Sequence, residues 1–226
     1  MMLSDVMEDY LKVIYQLQRE TDGRIKTSEI ATELDVTSPT VTSMIEKLEE
    51  RDLVDREKYR GVRLTEEGET VALEIVRHHR LLESYLTEHL DYDWSEVHDE
   101  ADRLEHHISE DFEARVADVL GEPDVDPHGS PIPSADLEPP ERPTGEPVTE
   151  FDEGETVVVE EVADRDADVL SYLADHGVEP GIELEIVEIA PFGMVTARPA
   201  DDDGTVSLPE RVAHHVRVSR PAEVEL

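Results

Sequence analysis

A mainly α-helical chain ending in an all-β domain is predicted by three observations. Apolar residues recur at helical spacing through the first 120 positions, prolines crowd one central stretch, and short alternating segments separated by glycines fill the last third. Eight of the fourteen prolines lie between 121 and 147, in GEPDVDPHGSPIPSADLEPPERPTGEP. That density forbids regular helix or strand and marks a linker or an ordered extended arm. The expected divisions are 1–72, 73–122, the proline-rich linker 123–147, and 148–226.

Ser4 is placed to cap a first helix running to about residue 20, with Val6, Tyr10, Val13, Ile14 and Leu17 along one face. Thr27 is expected to cap a short second helix over 28–34, its Ile30, Ala31 and Leu34 facing inward. After a tight connection, Ser38 reads as the cap of a third helix. Pro39 then takes the first helical position, where a missing N–H costs nothing. Val41, Ile45 and Leu48 continue at core spacing to about residue 52. This succession is a helix-turn-helix. Segments 53–57 and 62–65 read as two strands around Gly61, the wing of a winged helix-turn-helix. A fourth helix is expected from Thr65 to about residue 89, and a fifth, capped by Ser95, to about residue 107. Strands follow at 155–162, 183–189, 194–199, 205–208 and 215–219, punctuated by Gly181, Gly193 and Gly204, as in a small β-barrel.

Charge divides these parts by task. The formal net charge is −38, with 58 acidic and 20 basic residues. Acidity spread through periodic segments reads as a solvated, carboxylate-rich surface, as expected of a halophile's cytosol with molar salt. Residues 1–77 carry a net of −7 and residues 78–226 a net of −31, so nucleic acid is expected on the first third. There the wing, 55–63, holds four basic residues against two acidic ones. Lys47, Lys58, Arg60 and Arg63 are the expected phosphate contacts, since such contacts supply most of the affinity. Thr37, Ser38, Pro39, Thr40, Thr42 and Ser43, early in the third helix, are expected at base edges through hydroxyls and methyls. Hydroxyls here also cap helices, and a winged helix also binds protein; the basic wing favours DNA.

No cysteine occurs, which excludes disulfides, thiolate metal sites and cysteine nucleophiles. No run approaches the roughly 18 apolar residues of a membrane span, so no membrane partner is expected and a cytoplasmic location is. A different chemistry is spelled by histidine and carboxylate. His79 and Glu83 are spaced i,i+4, and His98, Asp102 and Glu105 or His106 continue at i,i+4 and i+7 or i+8. Oxygen and nitrogen donors suit Mn(II), Fe(II), Co(II) or Zn(II). An acidic chain with ten histidines also produces such pairs by chance, and spacing alone leaves both readings open.

Beyond spacing, the residues resemble the diphtheria toxin repressor family of iron- and manganese-dependent regulators. The resemblance rests on MEDYLKVIYQL at 7–17, VTSPTVTSMIEKLEERDLV at 36–54, YRGVRLTEEG at 59–68, HHRLLESYL at 78–86, VHDEADRLEHHIS at 97–109 and PHGSPIP at 127–133. It implies a primary metal site at Asp9, Asp102, Glu105 and His106, and a second at His79, Glu83 and His98. Iron-sensing members typically have Met at the position of Asp9 and Cys at that of Asp102; manganese sensors often carry Glu at that of Lys12. Two carboxylates harden the site and pull it toward Mn(II) over Fe(II). The stretch LSYLADHGVEPGIELEIVEIAPFGMVTARP resembles the SH3-like barrel of these repressors and of ferrous-transport accessory proteins. In some members that barrel lends a ligand to the second site; Asp166 falls nearest the matching position, with Asp168 close by. The expected function is therefore a non-enzymatic, homodimeric, metal-activated repressor of metal-uptake genes that binds operator DNA. Leu81, Leu82, Tyr85, Leu86 and Trp94 are expected at its dimer interface or, without a partner, in the core, and the sequence does not separate the two. The alternatives are a winged-helix regulator indifferent to metal and a metal-dependent hydrolase.

Overall fold

The computed structural model describes residues 3–21, 23–141, 145–163, 167–200 and 204–221. They form two compact units. The first comprises 1–79, 104–113 and 133–140, and the second 80–103, 114–132 and 141–226.

In the first unit, α1 (Asp5–Thr21), α2 (Thr27–Glu33) and α3 (Ser38–Glu49) are followed by the hairpin β1 (Val54–Glu57) and β2 (Gly61–Leu64). The hairpin is antiparallel, pairing Val54 with Leu64 and Glu57 with Gly61. Its root is extended by an isolated bridge between Ile25 and Val62. The apolar faces read from the sequence converge on one core: Tyr10, Leu11, Ile14, Ile30, Val41, Ile45, Leu48 and Val62 are all buried in it. Ser4 stands directly before α1 as expected, whereas the caps of α2 and α3 each lie one residue before the expected one. Lys26 precedes α2, its N–H bonded to the Glu29 carboxylate at 2.6 Å. The cap of α3 is Thr37, whose hydroxyl accepts from the Thr40 amide, so Ser38 is the first helical residue. A run of adjacent hydroxyl residues offers several caps of nearly equal chemistry, and the backbone turn selects among them.

The helix α4 (Glu66–Leu90) begins after Thr65, whose hydroxyl accepts from the Gly68 amide at 3.1 Å. It contributes its first part, to His79, to the first unit and the rest to the second. The fifth helix is shorter than expected. Ser95 does not cap it; its hydroxyl and amide both donate to Asp93, and α5 spans only His98–Leu104. Glu105–His107 is a turn, so the helical spacing assumed for Glu105 and His106 does not hold. Next comes α6 (Glu110–Leu120).

The second unit holds an antiparallel sheet in the order β3-β8-β4-β5-β6-β7. The strands are β3 (Glu146–Pro147), β4 (Thr156–Val162), β5 (Glu183–Ala190), β6 (Met194–Pro199), β7 (Val206–Leu208) and β8 (Val216–Ser219). A bulge between Val159 and Glu161 shifts the inward phase of β4, so Val157, Val159 and Val162 all reach the core although their spacing is not strictly alternate. Two short helices, α7 (Ala167–Asp175) and α8 (Glu210–Ala213), accompany the sheet. The former was not expected; its Val169, Leu170 and Leu173 close the core.

Two open readings of this unit are resolved. Leu81, Leu82 and Leu86 are buried within a single chain, Leu81 against Val116, Ala117 and Ile132, with Tyr85 packed beside them. Trp94 packs on the sheet core. These are core residues of one chain rather than a free interface. The proline-rich stretch is also more than a linker, because Asp126, His128, Ser130 and Ile132 are buried. Gly129 makes this possible. At φ +85 its missing side chain leaves room for the Glu160 carbonyl, which a Cβ would approach to 2.0 Å. Val162 N–H donates to the His128 carbonyl at 2.8 Å and Ser130 to the Glu161 carboxylate at 2.7 Å.

Candidate metal centres and nucleic-acid interface

Within the first unit, Asp9, Glu105 and His106 bring a ligand atom each to within 4.8 Å of one another. Asp9 lies on the second turn of α1, and Glu105 and His106 on the turn after α5. His106 places Nε2 2.9 Å from Asp9 Oδ1 and Nδ1 2.8 Å from Glu8 Oε2. Its Nε2 is also 3.5 Å from Glu105 Oε1. Burial raises the Asp9 carboxyl above its ordinary pKa, with Glu105 adding to the rise and His106 and Lys12 opposing it. Burial works to lower the His106 pKa but is outweighed: the hydrogen bond to Glu8 and the charges of Glu105, Asp9 and Glu8 leave it raised. Three carboxylates therefore surround one imidazole in a partly buried volume. This set fits a hard divalent cation, because it converges oxygen and nitrogen donors and contains no sulfur.

Glu105 faces a second group as well. Its Oε2 lies 2.7 Å from Lys12 Nζ and 2.6 Å from His79 Nδ1, and Lys12 Nζ is 3.0 Å from the same imidazole nitrogen. Lys12, His79 and Glu105 are all buried. His78 braces the turn, its Nδ1 3.1 Å from the Glu105 carbonyl.

The second unit carries its own cluster around Glu83, which is wholly buried. One Glu83 oxygen is 3.1 Å from His98 Nδ1 and the other 3.5 Å from His128 Nδ1. Asp102 Oδ2 lies 3.6 Å from His98 Nε2. Glu83, Asp126 and His128 offer ligand atoms within 4.8 Å of one another. Sequence reasoning missed Asp126 and His128, because the prolines around them read as a linker. The available signal was the PHG motif, whose histidine has no reason to be in a solvated arm. Asp126 also orders the arm, its Oδ1 accepting from the His128 and Ser130 amides at 2.8 and 3.0 Å. His128 Nε2 meets the Trp94 carbonyl at 2.7 Å. Asp168 is exposed on α7 and lines a cavity of about 480 Å³ with His98, Asp99 and Arg103. Asp166 lies outside the described residues.

The expected nucleic-acid face is solvent-accessible. Thr37, Ser38, Pro39, Thr40, Ser43 and Lys47 on α3 are exposed, and Thr42 half-buried. Three hydroxyl groups are engaged locally: Thr37 and Thr40 bond each other at 2.8 Å, and Thr42 donates to the Ser38 carbonyl. In the wing Lys58, Arg60 and Arg63 are exposed. Arg60 pairs with Glu57 at 2.7 Å and Arg63 with Asp55 at 3.2 Å, while Lys58 lies over the ring of Tyr59. Tyr59 and Arg24 escaped notice in the sequence. The first caps the wing tip at 94% exposure, and the second joins Asp55 and Glu57 at 2.6 and 2.8 Å.

Comparison with known proteins gives three family matches along the chain. Residues 2–62 match "Iron dependent repressor, N-terminal DNA binding domain". Residues 65–134 match "Iron dependent repressor, metal binding and dimerisation domain" and residues 146–220 the "FeoA domain". The iron-dependent repressor IdeR of Mycobacterium tuberculosis is 35% identical, over 96% of this chain and 98% of its own length. The diphtheria toxin repressor of Corynebacterium diphtheriae is 32% identical, over 96% and 97%. Among solved structures, a manganese-dependent transcriptional repressor in complex with manganese superposes with a TM-score of 0.87 at 36% identity, covering 95% of this chain and 99% of that one. The manganese regulator SloR superposes with a TM-score of 0.78 at 34% identity, over 95% and 98%.

Proposed function

The chain belongs to the iron-dependent repressor family, and from that premise we propose that it represses metal-uptake genes when Mn(II) or Fe(II) binds at Asp9, Glu105 and His106. It is a metal-dependent DNA-binding transcriptional repressor and not an enzyme. The observation that carries the ligand assignment is convergence. Asp9 and His106 stand 97 positions apart in sequence yet 2.9 Å apart in space. The expected winged helix-turn-helix and sheet segments fall close to the first and third family matches, while the middle match runs to residue 134 and so takes in the first part of the proline-rich stretch.

Each unit carries donors of its own in this reading. Asp9, Glu105 and His106 hold the first ion, with His79 beside Glu105. Glu83, His98, Asp126 and His128 form a second centre, with Asp102 beside His98. Two carboxylates and an imidazole favour Mn(II) over Fe(II) at the first. A bound divalent ion supplies the positive charge that the carboxylates lack. The residues do the rest: Asp9 anchors α1, Glu8 keeps the His106 Nδ1 proton and orients the ring, and the 105–107 turn is held against α1. Fixing α1 fixes the helix-turn-helix packed on it, so metal and operator affinities are coupled reciprocally.

Exposed Thr37, Ser38, Pro39, Thr40 and Ser43, with half-buried Thr42, face the bases, and Lys47, Lys58, Arg60 and Arg63 the phosphates. The chain acts as a homodimer in the cytoplasm, with Leu90, Tyr92, Phe112 and Val119 among the exposed apolar residues available for pairing. No helix among the described residues is long and apolar enough to cross a membrane.

The test is operator binding under a Mn(II) titration at high potassium chloride, using duplexes selected from a random pool by the manganese-loaded chain. Affinity is expected to rise at least about fivefold, the low end of an allosteric coupling. The rise should be abolished in Asp9→Ala. DNA affinity independent of Mn(II) would establish the metal-indifferent regulator instead.

A further inference from the structure

The arginines of the wing are already in contact with carboxylates. Arg56 Nη1 lies 3.2 Å from Glu46 Oε1, Arg60 Nη1 2.7 Å from Glu57 Oε2 and Arg63 Nε 3.2 Å from Asp55 Oδ2. Asp55 and Glu57 are held a second time, from inside, by Arg24. Its Nη2 lies 2.6 Å from Asp55 Oδ2 and 2.8 Å from Glu57 Oε1, and its Nη1 donates to the Asp55 carbonyl at 2.6 Å. The two holds differ in exposure. The Arg24 side chain is 13% exposed, those of Arg60 and Arg63 73% and 59%. Arg24 is therefore the fixed partner, and Arg60 and Arg63 are the ones that can leave. With Glu57 these three arginines border an open cleft of about 610 Å³, which solvent ions and phosphates can reach. The hydrogen bond from Arg24, joined by the charges of Arg24 and Arg63, outweighs burial and holds the Asp55 carboxyl below its ordinary pKa, so it stays an anion.

We propose that Asp55 and Glu57 are internal substitutes for DNA phosphate: they occupy Arg63 and Arg60 in the free chain and yield them to backbone phosphates on binding, so that operator affinity falls less steeply with salt than the number of phosphate contacts dictates. The inference rests on the reading of Arg60 and Arg63 as phosphate contacts, and it adds what those contacts replace. A carboxylate offers a guanidinium the same paired oxygen acceptors as a phosphate, so one can stand in for the other. An isolated exposed ion pair contributes little, but here two anions and three cations share one network. The salt dependence follows from the exchange. An unpaired arm that meets a phosphate releases DNA counterions, about 0.9 for each contact. An arm drawn from a carboxylate leaves two anions to the single guanidinium of Arg24, which does not neutralise both. The vacated set takes up a cation from solution, and that uptake opposes the release. Salt loosens the internal pair and the phosphate contact alike, and the difference between them changes little.

The experiment is a double-mutant cycle read across salt. Manganese-loaded full-length wild type, Glu57→Gln, Arg60→Ala and the double variant are bound to the selected operator duplex in potassium chloride from about 0.1 to 1 M. Arg60→Ala is expected to lower affinity. Glu57→Gln is expected to raise it about threefold at the low-salt end, the scale of an exposed ion pair. It is also expected to steepen the fall of log affinity against log salt, by up to about 0.9 for each arm released. In the Arg60→Ala background the same substitution is expected to change neither quantity, because no arm remains to release. Asp55→Asn with Arg63→Ala repeats the cycle at the second arm and decides the matter if a variant of the first fails to fold. Affinity unchanged by both Arg60→Ala and Arg63→Ala defeats the phosphate reading and the inference with it. Losses in those variants, with an equal gain from Glu57→Gln in both backgrounds, show only general repulsion and defeat the inference alone. So does a Glu57→Gln chain with the affinity and salt slope of wild type.

Discussion

In the proposed first metal centre, His106 is the residue at which proton and metal would compete. Its Nε2 faces Asp9 and its Nδ1 faces Glu8, so in the metal-free chain both nitrogens of an imidazolium have an acceptor. The raised His106 pKa means that the charged ring stabilises the fold fully below about 6.5, its ordinary value, and that this contribution is lost as pH climbs through the higher folded pKa. Asp9, raised by burial, acts in the same direction: ionising it costs the fold more than the unfolded chain, beginning just above its ordinary 3.8. The His106 effect predicts a metal-free chain that is less stable at pH 8 than at pH 6, measured as a lower melting temperature in chelator, while the Asp9 effect sets in at lower pH. Both groups must also shed protons to bind an ion, so Mn(II) affinity should rise over the same interval. Saturating Mn(II) should then reverse the slope of melting temperature against pH. An unchanged slope would show that His106 and Asp9 do not receive the ion.

At the scale of elements, the most telling case is the proline-rich arm. Gly129 is required twice over, by its φ of +85 and by the Glu160 carbonyl that a Cβ would strike. Gly129→Ala is expected to cost about 1–3 kcal/mol from overpacking, in addition to its backbone strain, read from urea unfolding. Gly154→Ala, at φ +86 with nothing within 4 Å of a Cβ, carries the strain alone and should cost less. The arm also marks where the sequence stops being informative. Apolar periodicity located α1, α3, α4 and most strands of the sheet, because one buried stripe per element leaves a repeating trace. The proposed ligands on the first helix and around residue 105 were reached through motif resemblance, since spacing alone assumed a helix running to about residue 107 whereas α5 ends at Leu104. Asp126 and His128 left no periodic trace, as an irregular arm packs residue by residue. The helix α7 was hidden by its length of nine residues among strands, though Val169, Leu170 and Leu173 lie on one face.

For the whole molecule, the decisive quantity is the net charge of −38. Repulsion among so many carboxylates opposes the compact state, and salt screens it: the Debye length falls from about 10 Å at 0.1 M to about 3 Å at 1 M. The melting temperature should therefore rise with potassium chloride from about 0.1 to 2 M, by about 2–8 °C for 1–2 kcal/mol of relieved repulsion. A flat or falling curve would show that the acidic surface is not an adaptation to concentrated salt. In the proposed DNA complex screening acts oppositely on the basic wing: it would weaken the hold on phosphate and leave discrimination to the hydroxyls and methyls of α3.

The arm's return to the first unit governs how this molecule can be taken apart. Arg77 donates to the Pro133 carbonyl at 2.7 Å, Arg19 to that of Pro140 at 2.7 Å, and Leu137 packs on the helix-turn-helix core. Because that unit is assembled from 1–79, 104–113 and 133–140, no cassette clipped near residue 72 contains it. Chimeras that graft the operator-reading head of one relative onto the body of another must carry the strap as well, and the shortest uninterrupted piece that does so ends at Pro140.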